Sequence, residues 1–296
     1  MMRTFACALL LALALCGHIT VDAQRTTSPP QPPKTPRLYV FDCGLINVNR
    51  AGTERYKVTP EEVGETRFSV PCFLVAHPKG TLMWDLGIVP DDTVEARARG
   101  EQGNATATSA AVAPVTRTLT SQLAEIGYRP ADITYFAFSH AHVDHNANAN
   151  LFAGSTWLAR PAERAFMWEA GNTRVNRTFF DTIRMSKTIS LDRDEYDVFG
   201  DGTVVLKAAP GHSPGHQVLV LNLPRTGRVM IAGDLYHYPQ ERTLKRPPPD
   251  TEFNVQQSAG SRVMIEEYLR KTKTEIWIEH DFMHNATLKK SPMYYD

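Results

Sequence analysis

The stretch Ser139-His140-Ala141-His142-Val143-Asp144-His145 puts three imidazoles and a carboxylate within six positions. Side chains that compete for protons are crowded in this way when a cation compensates them. Imidazole nitrogens suit zinc, iron, cobalt or manganese, and a carboxylate adds a hard oxygen donor. Further donors follow in Pro210-Gly211-His212-Ser213-Pro214-Gly215-His216, in Ile231-Ala232-Gly233-Asp234 and in Ile278-Glu279-His280-Asp281. Each group comes directly after a short apolar run that reads as a buried strand: residues 133–138, 203–208, 228–231 and 275–278. In layered α/β folds, ligands collect where strands end and loops begin. The spacing therefore predicts four strand ends converging on one metal-binding pocket.

Local geometry divides the donors. His140 and His142, two apart in an extended turn, point to one side and can bind one ion. Asp144 and His145 open the following helix and point towards a second ion. Two cations about 3.5–4 Å apart repel each other, so a bridging carboxylate is expected between them. His216 is expected to hydrogen-bond its loop, and His237 to form either pocket wall or solvated loop. His18, His77 and His284 are expected to be incidental. Asp85, at the end of the run Trp84-Asp85-Leu86-Gly87, is a candidate to orient a ligand histidine from behind, or a plain turn residue.

The elements that must position these groups can be read from periodicity. Strand-like segments fall at residues 37–42, 67–76 and 81–85, with the first two expected to pair. Residues 95–114 are rich in Ala, Thr and Gly and read as a long loop, either a lid or an unstructured insertion. Val115, Leu119, Leu123 and Ile126 recur at helical spacing, and Gly127 stops the run. Helices are also expected at 146–152, 161–170 and 260–271, and a short strand at 156–158. Phe179, Phe180 and Met185 lie in a connector at 172–186 and read as core or as pocket wall. Strand and helix runs fill both halves without a linker, which argues for one sandwich-like domain over residues 37–296.

Composition narrows the class. The 296 residues are 42% hydrophobic and 22% charged, within the range of an ordinary globular chain. Thirty-two basic residues balance thirty-two acidic ones, so no global field favours nucleic acid or an anionic membrane. A small, roughly neutral substrate is the expected partner.

The chain starts with Arg3, an apolar run from Phe5 to Cys16 and the small-residue site Val21-Asp22-Ala23. This is the layout of a secretory signal peptide over residues 1–23, and the run is short for a membrane span. Cleavage after Ala23 would place the protein in a periplasm or outside the cell, with a proline-rich tether over residues 24–36. Two cysteines would remain, Cys43 and Cys72. Sequence leaves them open between a disulfide and two buried thiols.

The order His-x-His-x-Asp-His, Gly-His, Gly-Asp and final His resembles the metallo-β-lactamase superfamily, from about Arg37 to the C-terminus. The resemblance implies a four-layer αββα sandwich. It also implies that His140, His142 and His212 hold one divalent ion, that Asp144, His145 and His280 hold another, and that Asp234 bridges them. Zinc is the expected metal, with cobalt, manganese or iron as alternatives. Pro-Gly-His-Ser-Pro-Gly-His and the complete donor set look like the N-acyl-homoserine lactone lactonases, which implies opening of lactone rings and quorum quenching. In that branch a tyrosine lies three residues after the bridging aspartate, where this chain has His237 between Tyr236 and Tyr238. The Gly-Asp-Leu run is also similar to the phosphotriester-cleaving branch.

The expected catalytic groups are Asp144 as proton shuttle and Tyr236, Tyr238 or His237 as donor to the oxyanion. Apolar residues after Tyr56 and at 179–185 are expected to receive an acyl tail. Rival readings are an aryl-ester or phosphotriester hydrolase, a β-lactamase-like activity, a thioesterase, and a non-catalytic binding protein on the same scaffold. A homodimer is possible.

Overall fold

The computed structural model describes residues 30–101 and 111–296. The expected signal peptide, the start of the tether and residues 102–110 lie outside the described residues. Twelve strands form two sheets among the described residues. The first sheet contains β1 (Arg37–Ile46), β2 (Phe68–His77), β3 (Gly80–Trp84), β4 (Tyr135–Ala137), β5 (Thr156–Ala159), β6 (Thr188–Ser190) and the C-terminal β12 (Tyr294–Tyr295), in the order β12-β1-β2-β3-β4-β5-β6. The second contains β7 (Glu195–Asp197), β8 (Val204–Ala208), β9 (Gln217–Leu223), β10 (Gly227–Ile231) and β11 (Glu275–Trp277), in the order β11-β10-β9-β8-β7.

Alternation along the strands builds the layers. Leu38 and Val40 of β1 and Phe73 and Val75 of β2 join Leu206, Leu219, Leu221, Val229 and Ile231 in a core between the sheets. The intervening Tyr39, Phe41 and Leu74 face the other way and pack with Leu119, Leu123, Phe166 and Met167 from helices. Val218, Val220 and Met230 likewise turn outward to Ile265 and Leu269. Those two lie one turn apart on the helix Val255–Thr272, which Asn254 caps by accepting from the Gln257 N–H at 3.0 Å. Helix, sheet, sheet, helix is the αββα order that the resemblance implies.

Boundaries shift where packing outweighs local pattern. The strand expected at 133–138 shrinks to β4, because Phe138 packs beside Trp157 in the core while the Ser139 N–H turns to bond Asp85. The helix expected at 146–152 becomes the turn Val143–Asn146 followed by the 3-10 turn Ala149–Phe152. The helix expected from 260 begins at Val255. The described ends of segment 95–114 join the fold: Glu95 to Ala98 end the helix Asp91–Ala98, and Ala111 and Ala113 bond to the end of β1.

β1 and β2 pair antiparallel with Phe41 opposite Cys72, and a bulge separates Asp42 from Leu45. Cys43 and Cys72 form a disulfide across this pair, with Cα atoms 5.8 Å apart. Gly87 packs against the bridge so tightly that a Cβ there would lie 2.8 Å from the Cys43 Cβ. No helix among the described residues is long and apolar enough to cross a membrane.

Candidate metal centre

Strand direction brings the donors together. β10 and β11 run parallel, and β8 shares their direction because β9 is antiparallel to both β8 and β10. Their C-terminal ends therefore share one edge of the second sheet, and from it emerge the loops carrying His212, Asp234 and His280. β4 of the first sheet delivers His140 to the same place. Two glycines permit the crowding. A Cβ on Gly211 (φ 137°) would sit 2.2 Å from the Ser258 nitrogen, and one on Gly233 (φ 51°) would sit 2.5 Å from the Ser139 Cβ.

His140 Nε2, His142 Nδ1 and His212 Nε2 lie 2.8–3.1 Å from one another. Asp234 Oδ2 completes this group, 3.3 Å from His212 and 3.7 Å from His140. The other oxygen, Oδ1, lies 3.1 Å from both His145 Nε2 and His280 Nε2. Asp144 Oδ2 is 3.4 Å from His280 Nε2 and 3.7 Å from His145 Nε2. The seven expected residues thus form two donor groups sharing one split carboxylate, within the reach of a cation in each.

The donor set fits divalent cations. His145 Nε2 and Asp234 Oδ1 are buried and make no hydrogen bond despite their proximity. Burial and neighbouring imidazoles hold His140 well below the ordinary histidine range and His142 at about 3, so their lone pairs stay open. For Asp234, burial raises the pKa, but His280, His145 and His237 outweigh it and keep the carboxylate ionised. His140, His145, Asp234 and His280 form a buried floor, while His142, Asp144 and His212 are half-buried towards the cavity.

Four of the five donor imidazoles, all but His142, are aimed from behind, which fixes their tautomer and direction. His145 Nδ1 meets Asp85 Oδ2 at 2.8 Å, His212 Nδ1 meets Glu252 Oε1 at 3.2 Å, and His280 Nδ1 donates to the Ser69 carbonyl at 2.9 Å. Ser139 Oγ lies 3.0 Å from both His140 Nδ1 and Asp85 Oδ2. Asp85 takes a left-handed conformation (φ 48°) to do this, held by the Ser139 N–H at 2.6 Å. The expectation that His216 serves its loop matches the geometry: its Nδ1 donates to the Ala209 carbonyl at 2.9 Å, and its Nε2 accepts the Asp234 N–H at 3.0 Å.

A cavity of about 580 Å³ opens over the donors, lined by His142, Asp144, His212, Asp234, His280 and His237 at one end. Ile46, Val48, Tyr56 and Phe68 add apolar and aromatic surface to the lining, alongside Asn47, Asn49, Arg55 and Arg174. His237 is pocket wall: Nε2 lies 3.2 Å from Asp234 Oδ2, and its backbone N–H donates to Glu241 at 2.7 Å. Burial alone would lower its pKa, but Asp234 and Glu241 raise it to about 10.

Two expectations need correction. Tyr236 does not reach the cavity, because its hydroxyl donates to Glu266 at 3.2 Å and its ring lies under Arg262. Tyr238 turns away as well, donating to the Thr66 carbonyl at 2.7 Å. Phe179 and Phe180 belong to the core and Met185 is 89% exposed, so none of them lines the cavity. Sequence reasoning missed Glu163, which accepts from the Ala141 N–H (2.7 Å), the Gly215 N–H (2.8 Å) and Ser213 Oγ (2.6 Å). It ties the first histidine loop to the second. Glu252 and Glu241 were missed too, since lone acids inside ordinary helical or loop text carry no signature.

A two-group His/Asp site at the shared edge of an αββα sandwich defines the class, a metal-dependent hydrolase. The family model of the metallo-β-lactamase superfamily matches residues 66–270, and the chain belongs to that superfamily. It is similar to the N-acyl homoserine lactonase AttM of Azorhizobium caulinodans, with 29% identity over 88% of this chain and 98% of that protein. An N-acyl homoserine lactonase of Bacillus cereus is 24% identical over 87% of this chain and 98% of its own length. Among solved structures, an N-acyl homoserine lactone hydrolase with N-hexanoyl-L-homoserine bound at its catalytic metal centre aligns with TM-score 0.70 and 21% identity, covering 87% of this chain and 98% of that one. The dizinc quorum-quenching lactonase AidC aligns at TM-score 0.60 and 17% identity, covering 88% and 94%.

Proposed function

We propose that the protein is a dinuclear metal-dependent lactonase that opens the ring of N-acyl homoserine lactones, with zinc as its metal. The observation that carries this reading is the split of Asp234 between the two donor groups, in a cavity that Ile46, Val48 and Phe68 also line. Its likeness to lactonases along nearly their whole length supports the choice of substrate.

Two divalent cations held by these residues would supply Lewis acidity, bringing the pKa of water towards neutrality and polarising a carbonyl. The chain's own groups do the rest. His140, His142 and His212 would hold one cation, and Asp144, His145 and His280 would hold the other. Asp234 offsets the repulsion between them. Asp144, half-buried on the cavity wall, takes the proton released on attack and returns it to the leaving alkoxide. His237 offers an N–H to the oxyanion from beside Asp234. Ile46, Val48 and Phe68 exclude water and receive the acyl chain.

We also propose export with cleavage after Ala23. The Cys43–Cys72 bridge suits an oxidising compartment and supports that reading. N-terminal sequencing of the mature protein checks it.

A panel of N-hexanoyl-homoserine lactone, paraoxon and nitrocefin on one zinc-loaded preparation tests the substrate. Preferential opening of the lactone is expected, and paraoxon or nitrocefin as the better substrate would overturn the assignment.

A further inference from the structure

Three tyrosines neighbour His237 (Tyr236 and Tyr238 in sequence, Tyr56 in space), and the first two are committed elsewhere. Tyr236 donates to Glu266 and Tyr238 to the Thr66 carbonyl. Tyr56 lines the cavity, yet its hydroxyl makes no hydrogen bond with any described residue. A polar group held among packed rings with no protein partner is suited to a partner that arrives with the ligand.

The ring is fixed in place. Tyr56 closes the helix Arg50–Arg55, its N–H donating to the Thr53 carbonyl at 3.0 Å. Its ring centroid lies 4.1 Å from that of His237, 5.4 Å from Phe68 and 5.8 Å from Tyr238. Phe68 in turn stacks on His280 at 4.6 Å, so the phenol stands one ring away from a donor of the second group. Burial and the facing charges of Asp234 and Asp144 both favour the protonated phenol. Tyr56 lines the same cavity as Asp144, Asp234 and His280, so its phenolic O–H is a donor on the wall of the site where negative charge develops.

We infer that Tyr56 is a further catalytic residue, whose phenolic O–H donates a hydrogen bond to the carbonyl oxygen as it gains charge under attack. No proton is transferred in this step; the O–H···O bond strengthens as the carbonyl π electrons move onto oxygen. Tyr56 reaches the site from a helix almost two hundred residues away from Asp234 in sequence. The inference rests on the proposed function only in requiring an ester carbonyl as the group attacked.

Tyr56→Phe keeps the ring contacts and removes only the hydroxyl. In the zinc-loaded full chain it is expected to lower kcat for N-hexanoyl-homoserine lactone about 100-fold. KM, bound zinc and Tm should stay at parent values. An unchanged kcat/KM overturns the inference, and so does a loss that follows lost zinc, which would mean a structural role. If the parent cleaves an aryl ester but no lactone, the lactone reading fails, and Tyr56→Phe is scored on kcat for that ester with the same two outcomes.

Discussion

The two oxygens of one carboxylate set the logic of the site. Asp234 turns Oδ2 to His140 and His212 and Oδ1 to His145 and His280, so its removal leaves both groups incomplete. Loss of partners that merely orient metal-bound histidines costs about 10–100-fold. Asp234→Ala and His142→Ala remove donors themselves, and each should lose more than ~100-fold in turnover by the same scale. Metal analysis should show less than the parent content in both; full activity with normal metal in either would contradict their roles. These residues were legible in the sequence because each sits in a short string beside a glycine or another histidine. Tyr56 was not, since nothing near it announces chemistry. The choice among Tyr236, His237 and Tyr238 was also hidden, because it depends on which way an extended backbone presents alternating side chains.

At the level of elements, the hairpin of β1 and β2 supports the site from beneath. The Cys43–Cys72 bridge presses on Gly87, whose carbonyl accepts the Ala147 N–H at 3.0 Å, while the Leu86 N–H donates to the His145 carbonyl at 2.8 Å. Closing a loop of 29 residues stabilises the fold by about 3–4 kcal/mol in the chain-entropy account. The double variant Cys43→Ser/Cys72→Ser should show that loss in urea unfolding, whereas unchanged stability would mean the bridge constrains little. Sequence could place these cysteines on adjacent strands but not fix their geometry, since register depends on the bulge after Asp42.

His77 makes a second prediction for the same strand. It ends β2, stacks on Phe199 at 4.1 Å and is held below its ordinary pKa by burial, against the pull of Asp201. A histidine that resists protonation when folded but accepts a proton at about pH 6.5 when unfolded loses stability as pH falls below that value. His77→Gln should therefore flatten the fall in Tm between about pH 7 and pH 5. An identical fall in parent and variant would show that His77 is not responsible.

Across the whole molecule, one sandwich-like domain was legible because apolar runs and helical periodicity survive in the text, while the four-layer order came from the resemblance that the donor strings carry. The terminus of each element was less legible. β4 stops early because Phe138 joins the core beside Trp157 while Ser139 turns to bond Asp85, a tertiary preference that local pattern does not record. The cavity was least legible, since its walls come from β1, the helix Arg50–Arg55, β2 and the loops of the second sheet together.

Stripping the protein with chelator and returning zinc in steps, while following the opening of N-hexanoyl-homoserine lactone, tests the heart of this picture. Hydrolysis should be absent at the start and climb to a plateau at two equivalents per chain. A metal-free protein that still opens the ring, or one that saturates without taking up a second ion, would contradict it.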